Sequence, residues 1–263
     1  MSTASTILEV KKLSKFFGGV AANTELDITI APLEILGLIG PNGAGKTTFF
    51  NVISGFMPPT NGSVVFAGRD ITGLGAHDVV RLGMARTFQA STLFMGISVL
   101  ENVFTGYHMS YKTSMWKRLF RTPAALKEEK ALKQKALEVL DFMGLSSSKD
   151  KTAANLPHGH QKVLGVCMAL ATSPKLLLLD EPMTGMNARE TETMIGLIRK
   201  IRDKGVTIIV VEHNMKAVMN LCDRIVVLNY GRKIAEGSPD RIRENTEVIE
   251  AYLGHSGNGA HAA

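Results

Sequence analysis

Cysteine is nearly missing from this chain: Cys167 and Cys222 are the only two, far apart and each in an apolar setting. They read as buried small hydrophobes in a reducing compartment, not as a disulfide framework. Aromatics make up only 6% of residues, which argues against a stacking surface for nucleic acid. No apolar run approaches the roughly 18–20 residues needed to cross a bilayer, so no membrane span is expected. The opening stretch "MSTASTILEVKKL" lacks a charged segment followed by a hydrophobic one, so export is not expected and a cytoplasmic protein is. The net charge of +6 is spread along the chain. It reads first as solubility, with a basic face toward anionic lipid or a membrane partner as the alternative.

What is present is an ordinary globular composition, 45% hydrophobic and 21% charged over 263 residues, enough for one large domain or two small ones. Strand-like patterns occupy Ile7–Val10 and Leu26–Ile30, followed by the apolar run Ile35–Ile39. "NGSVVFAGRDI" reads as a hairpin element with Asn61-Gly62 as its turn residues. From about Ser98 to Leu145 the pattern becomes helical, with Leu132, Ala136, Leu137 and Leu140 at helical spacing and a stop at Gly144. Strand signals return at Leu176–Leu179, Thr207–Val211 and Arg224–Leu228, alternating with helical segments as in an α/β domain with a parallel sheet. Ser238-Pro239-Asp240 reads as a cap with proline at the first helical position. The tail from about 255 to 263 has no periodicity and is expected to be disordered.

The apolar strand Ile35–Ile39 runs into "GPNGAGKTT" and then a helical stretch. Gly40–Thr47 satisfies G-x-x-x-x-G-K-[ST] in the strand–loop–helix context that pattern requires. Gly40, Pro41, Asn42, Gly43, Ala44 and Gly45 let the backbone curl so that its N–H groups face phosphate oxygens. The helix that starts there, through Thr48, adds its positive end. Lys46 is expected at the β/γ-phosphates of ATP and the Thr47 hydroxyl on Mg2+.

A second apolar strand ends in Asp180-Glu181, at the edge where open α/β sheets put their ligand chemistry. Asp180 is expected to hold Mg2+, directly or through water, and Glu181 to polarise the attacking water. His213 follows the strand "VTIIVV" and suits a γ-phosphate contact. Gln89 sits where the strand-like part gives way to helices, and there it suits Mg2+, the water and sensing of the γ-phosphate. The acidic pair and the later histidine together disfavour an unrelated P-loop kinase or GTPase.

"LPHGHQK" (156–162) admits three readings: a His-x-His metal pair, a helix start, or an altered copy of a better-known motif. Residues two apart on a helix do not share a face, and no nearby cysteine or acid completes a zinc ligand set.

In their order, "GPNGAGKTT", "RTFQ", "LLLLDEP" and "VVEHNM" resemble the nucleotide-binding subunit of an ATP-binding cassette (ABC) transporter. "LSKFFGGVAAN", the stretch from "GLIGPNGAGKTT" to "GRDITG", and "CDRIVVLNYGRKIAEGSPDRIRENTEVIEAYLG" resemble the ATPases of branched-chain amino-acid importers, from about Ile7 to Gly254. The resemblance implies an α/β fold: a P-loop NTPase core, an antiparallel β subdomain and an α-helical subdomain inserted at about 91–173, all in one domain spanning 1–263. It further implies that Phe17 stacks on adenine. Gln89 through about Asn102 would form the groove for a short cytoplasmic helix of the membrane subunit.

Two such cassettes would pair head to tail, each ATP touching one chain's cradle and the other chain's signature, with ATP hydrolysis driving alternating access. Aligned on the family's Leu-Ser-x-Gly-Gln signature stand Leu156, Pro157, His158, Gly159 and His160, followed by Gln161. Serine has become Pro157 and glutamine has become His160. Asn187 stands where many relatives have Asp.

The implied assembly has two transmembrane permease subunits and, because of Pro157, a second related ATPase with unequal sites. An extracytoplasmic solute-binding protein acts indirectly, and the chain lies peripherally at the cytoplasmic face of the inner membrane. The alternatives are an ATPase of a lipid or lipopolysaccharide exporter, disfavoured by the long segment Tyr107–Glu129, and a soluble non-transport cassette, disfavoured by the lack of a fused second cassette.

Overall fold

The computed structural model describes residues 6–87 and 93–253. Its order opens with β1 (Leu8–Phe17), β2 (Val20–Ile30), β3 (Ile35–Ile39), α1 (Lys46–Ile53), β4 (Asn61–Phe66), β5 (Arg69–Asp70), α2 (Ala76–Arg81) and β6 (Met84–Arg86). A helical stretch follows, with α3 (Val99–Gly106), α4 (Met115–Leu119), α5 (Pro123–Phe142) and α6 (His158–Leu170). The chain then alternates β7 (Leu176–Asp180), α7 (Ala188–Asp203), β8 (Thr207–Val211), α8 (Met215–Leu221), β9 (Arg224–Asn229) and β10 (Arg232–Gly237), and closes with α9 (Pro239–Arg243) and α10 (Thr246–Leu253).

Two sheets result. The larger runs β10-β9-β3-β8-β7-β6, parallel from β9 to β6 with β10 antiparallel at the edge; the smaller, β2-β1-β4-β5, is antiparallel. The parallel strands are apolar on both faces, as a sheet covered on both sides demands. In β3, Ile35 and Ile39 join a core with α3, α5, α6 and α7. Leu36 and Leu38 join a second core with Phe49 and Phe50 of α1 and the small sheet. A single strand thus belongs to both cores. Both cysteines are buried, and burial pushes each thiol well up.

One turn assignment needs correction. Asn61 and Gly62 begin β4, and the β4–β5 turn is Ala67-Gly68, with φ of 48° and 77°. Gly62 is needed for a different reason: at φ 90° a Cβ would lie 2.4 Å from the Lys12 carbonyl oxygen on β1, where the β1–β4 register shifts. The helix stop at Gly144 holds: α5 ends at Phe142, Met143 caps it and Gly144 takes φ 73°. Pro239 opens α9 as expected, although the Ser238 side chain makes no capping bond.

Candidate functional site

Parallel register builds the site. Leu38 of β3 and Asp180 of β7 both pair with Val211 of β8, so three adjacent strands finish within one residue of a common rung. The chain leaves that rung as the cradle 40–45, as Glu181 and as Glu212-His213. All three land at the carboxyl ends of the strands.

The cradle, with Val20, Ala21 and Ala22 of β2 and with Glu181, His213 and Tyr230, encloses about 400 Å³, within the size range of small-ligand sites. Gly40 and Gly45 cannot carry a side chain. Their φ values are 152° and 99°, and a Cβ would lie 2.1 Å from the Leu228 carbonyl oxygen and 2.3 Å from that of Ala22. Lys46 is buried; its Nζ donates to the carbonyls of Gly40 at 2.7 Å and Pro41 at 2.9 Å. Burial lowers its pKa, partly offset by Glu181 and Asp180. Thr47 and Thr48 line the same cavity. The hydroxyl of Thr47 and the carboxylate of Asp180 are the hard oxygen donors that a cation such as Mg2+ takes.

Glu181 lies just past β7 at φ 48°, a conformation that costs a residue with a side chain about 1–3 kcal/mol and so requires support. Its N–H donates to the Val211 carbonyl at 2.9 Å, and its carbonyl accepts from Lys162 Nζ at 3.1 Å. Its Oε1 lies 2.9 Å from His213 Nε2, and its Oε2 accepts from the Thr184 hydroxyl at 3.3 Å. The structure therefore joins Glu181, the histidine and the cradle around one space, with Asp180 beside it at the end of β7 and paired to Arg86. Phe17 is exposed at the end of β1 and pairs with Val20, which lines the cavity. Gln89 lies outside the described residues.

Residues 156–161 do not line this cavity. Pro157 caps α6, and the helix packs against the loop after β7 in its own chain. A Cβ on Gly185 would lie 3.1 Å from His158 Nε2, and one on Gly159 would lie 2.9 Å from Glu190 Oε1. Glu190 forms a reciprocal capping box with Asn187 at the start of α7, so Asn187 acts as a helix cap. Leu156 is buried and its carbonyl accepts from Gln161 Nε2 at 3.0 Å, while His160 is exposed. Gly159→Ala should push the Glu190 carboxylate out of the box, a loss of about 1 kcal/mol that the better helix propensity of alanine in α6 offsets by a similar amount. Thermal unfolding checks this: Gly159→Ala should be close to neutral, whereas Glu190→Ala should be destabilising.

Sequence reasoning missed three supporting groups. Arg86 of β6 donates to Asp180 Oδ2 at 2.7 Å and to Asn51 Oδ1 at 2.6 Å, with both members of the ion pair nearly buried. Asn23, fully buried, donates to the Gly45 carbonyl at 3.2 Å and braces the cradle from β2. Glu212, 1% exposed, accepts the Met183 N–H at 2.6 Å and the His213 N–H at 3.1 Å, tying the loop after β7 to the end of β8. Each partner is remote in sequence or hidden behind a backbone N–H, so no local pattern marks it.

Burial, opposed by those N–H donors, raises the Glu212 pKa. An acid whose pKa is raised on folding loses stability as pH climbs from its unfolded value through its folded one. Glu212→Gln should therefore flatten the decline of unfolding free energy in the window just above the ordinary glutamate pKa. Chemical denaturation at a series of pH values measures it.

Residues 24–184 match the ABC transporter family, and residues 232–257 match the branched-chain amino acid ATP-binding cassette transporter family. The chain belongs to the ABC transporter family. It is similar to the high-affinity branched-chain amino acid transport ATP-binding proteins BraF of Pseudomonas aeruginosa and LivG of Escherichia coli. Each is 39% identical over 251 residues, covering 95% of this chain and 98% of the relative. Among solved structures, a nucleotide-free cassette from an ABC transporter superposes with a TM-score of 0.84 at 30% identity, covering 94% of this chain and 99% of that one. The ADP conformation of such a cassette also gives 0.84, at 31% identity, with 95% and 99% covered. The P-loop α/β fold that the resemblance implied is thus present, and the chain is an ATP-binding, ATP-hydrolysing cassette.

Proposed function

We propose that this chain powers an importer of branched-chain amino acids or similar small polar solutes, as one of two unequal ATPase subunits on the cytoplasmic face of the membrane. The observation that carries the ATPase role is the meeting of Lys46, Asp180, Glu181 and His213 at three adjacent strand ends. The solute class is supported by the match at 232–257 and by the relatives' names. Among the described residues no helix is long and apolar enough to cross a membrane, so the permeases are separate chains in this reading.

Thr47, Asp180 and Gln89 would hold Mg2+, which would supply positive charge to offset that of the phosphates. The cradle N–H groups and Lys46 hold the phosphates. Glu181 takes the proton of the attacking water, and His213 keeps that carboxylate aimed through the 2.9 Å contact. A second opening of about 350 Å³, walled by Phe56, Met84, Arg86, Met109 and Met168, lies between the β6 edge and helices α3 and α6. It suits the short cytoplasmic helix of a permease, although none of its walls comes from 93–102, part of the stretch where the resemblance put that groove.

The inequality comes from Pro157. A serine at that position would donate a charge-assisted hydrogen bond to the ATP held by the partner, and proline offers neither hydroxyl nor N–H. Such a bond is worth about 1.5–3 kcal/mol, or about ten- to a hundred-and-fiftyfold. The first-turn N–H groups of α6 remain as donors.

Reconstitution with both permeases, the second ATPase and the solute-binding protein tests the transport reading. Leucine, isoleucine or valine on the binding protein should stimulate ATP turnover and accumulate inside vesicles. Stimulation by lipid in place of amino acid would move the chain to the exporter branch.

A further inference from the structure

Every residue of helix α4 is exposed, the apolar ones included, and so is Phe120 just after it. Met115, Trp116, Leu119 and Phe120 are 70%, 66%, 64% and 74% exposed, and the Trp116 and Phe120 rings stack at 6.5 Å. At about 100° per residue these four positions fall within an arc of roughly 140°, with Lys117 and Arg118 outside it. A contiguous exposed face of this kind marks a binding surface.

Charge narrows the occupant. Residues 107–122 contain no Asp or Glu but do contain Lys112, Lys117, Arg118 and Arg121. The nearest acids on the neighbouring α5 offset the cations only in part: Glu128 accepts from the Lys112 N–H and the Thr113 hydroxyl and also feels Arg118, which lies over the Tyr111 ring, and Glu129 pairs with Lys133 and also feels Arg121. Tryptophan and phenylalanine on one side of a short helix and cations beside them match the chemistry of an anionic bilayer surface, with rings at headgroup level and cations on phosphates. A short connection agrees with this: Met109, six residues before α4, walls the groove assigned above to a permease. That last step rests on the permease reading; the exposure and charge do not.

The geometry points to α4 as an interfacial anchor that lays Trp116, Leu119 and Phe120 into an anionic lipid surface beside the permease. Trp116 is the sole tryptophan, so its emission reports on this helix alone. The test mixes the full chain, without permeases, with vesicles of phosphatidylglycerol and phosphatidylcholine or of phosphatidylcholine alone. With anionic vesicles, emission should shift to the blue and be quenched by brominated acyl chains, and both changes should reverse in high salt. Leu119→Ser/Phe120→Ser should lower the bound fraction at equal lipid about tenfold or more, with basal ATP turnover kept as evidence of folding. Lys117→Gln/Arg118→Gln should remove the preference for anionic vesicles.

Three results would overturn the anchor: unchanged emission with anionic vesicles, equal binding by the serine variant, or a shift seen only when permeases are present. The last would assign the face to protein. None of them bears on solute-stimulated ATP turnover, so failure here is separable from failure of the transport reading.

Discussion

Glu181→Gln is expected to slow ATP hydrolysis by at least about a hundredfold while leaving ATP binding nearly intact, as loss of a positioned base does. The substitution conserves shape. Glutamine can still meet His213 Nε2 and the Thr184 hydroxyl, now 2.9 and 3.3 Å from the carboxylate. The backbone at φ 48° is held by Val211 and Lys162 through main-chain atoms that the change does not touch. What disappears is the capacity to take a proton from water. Rapid-quench hydrolysis alongside equilibrium nucleotide binding separates the two effects. A Glu181→Gln protein that hydrolyses within a few-fold of wild type would show that the base lies elsewhere.

The second large effect is on binding. Lys46→Ala should weaken ATP binding by about a hundredfold or more, because it deletes a cation whose charge-assisted bonds to phosphate are worth about 1.5–3 kcal/mol each. Lys46→Arg should not restore it. A planar fork does not fit a slot in which a single ammonium reaches the Gly40 and Pro41 carbonyls. The unliganded protein should melt at nearly the same temperature, since burial already disfavours the charge on Lys46. The upward shift of the melting temperature that ATP confers should vanish. Differential scanning calorimetry with and without nucleotide reads both.

The parts of the site legible in the sequence are those in which one local segment does the whole task. Gly40–Thr48 is such a segment, because strand, turn glycines and helix start are contiguous and the ligand contacts are mostly backbone. The acidic pair is another, since an apolar strand announces its own end. Asn61-Gly62 misled because glycine is demanded there by a neighbouring strand, with the Lys12 carbonyl against its Cα, and a chain read singly contains no neighbour. Arg86 could pair with any acid; only the β6–β7 register chooses Asp180, 94 residues away. No local pattern marks Glu212 beside His213, yet it is the carboxylate that ties the loop after β7 to β8.

Residues 156–162 became clearer for the same reason. Lys162 reaches the Glu181 carbonyl, and His158 and Gly159 abut the loop 181–190 of their own chain. The helix start that would face a partner's ATP is therefore mechanically joined to this chain's own carboxylate. Lys162→Met should leave nucleotide affinity unchanged and lower turnover several-fold, by loosening one of the few supports of a left-handed Glu181. Steady-state kinetics at saturating ATP would detect it.

Glu181 and Pro157 of this chain are expected to serve two different ATP molecules. The most direct measurement is site-resolved single-turnover hydrolysis in the assembled two-ATPase transporter. It compares Glu181→Gln in this chain with the matching glutamate-to-glutamine change in the other ATPase. Loss of the fast phase from Glu181→Gln, with loss of only a slow remainder from the partner's substitution, is the predicted result. Equal losses from the two substitutions would contradict it.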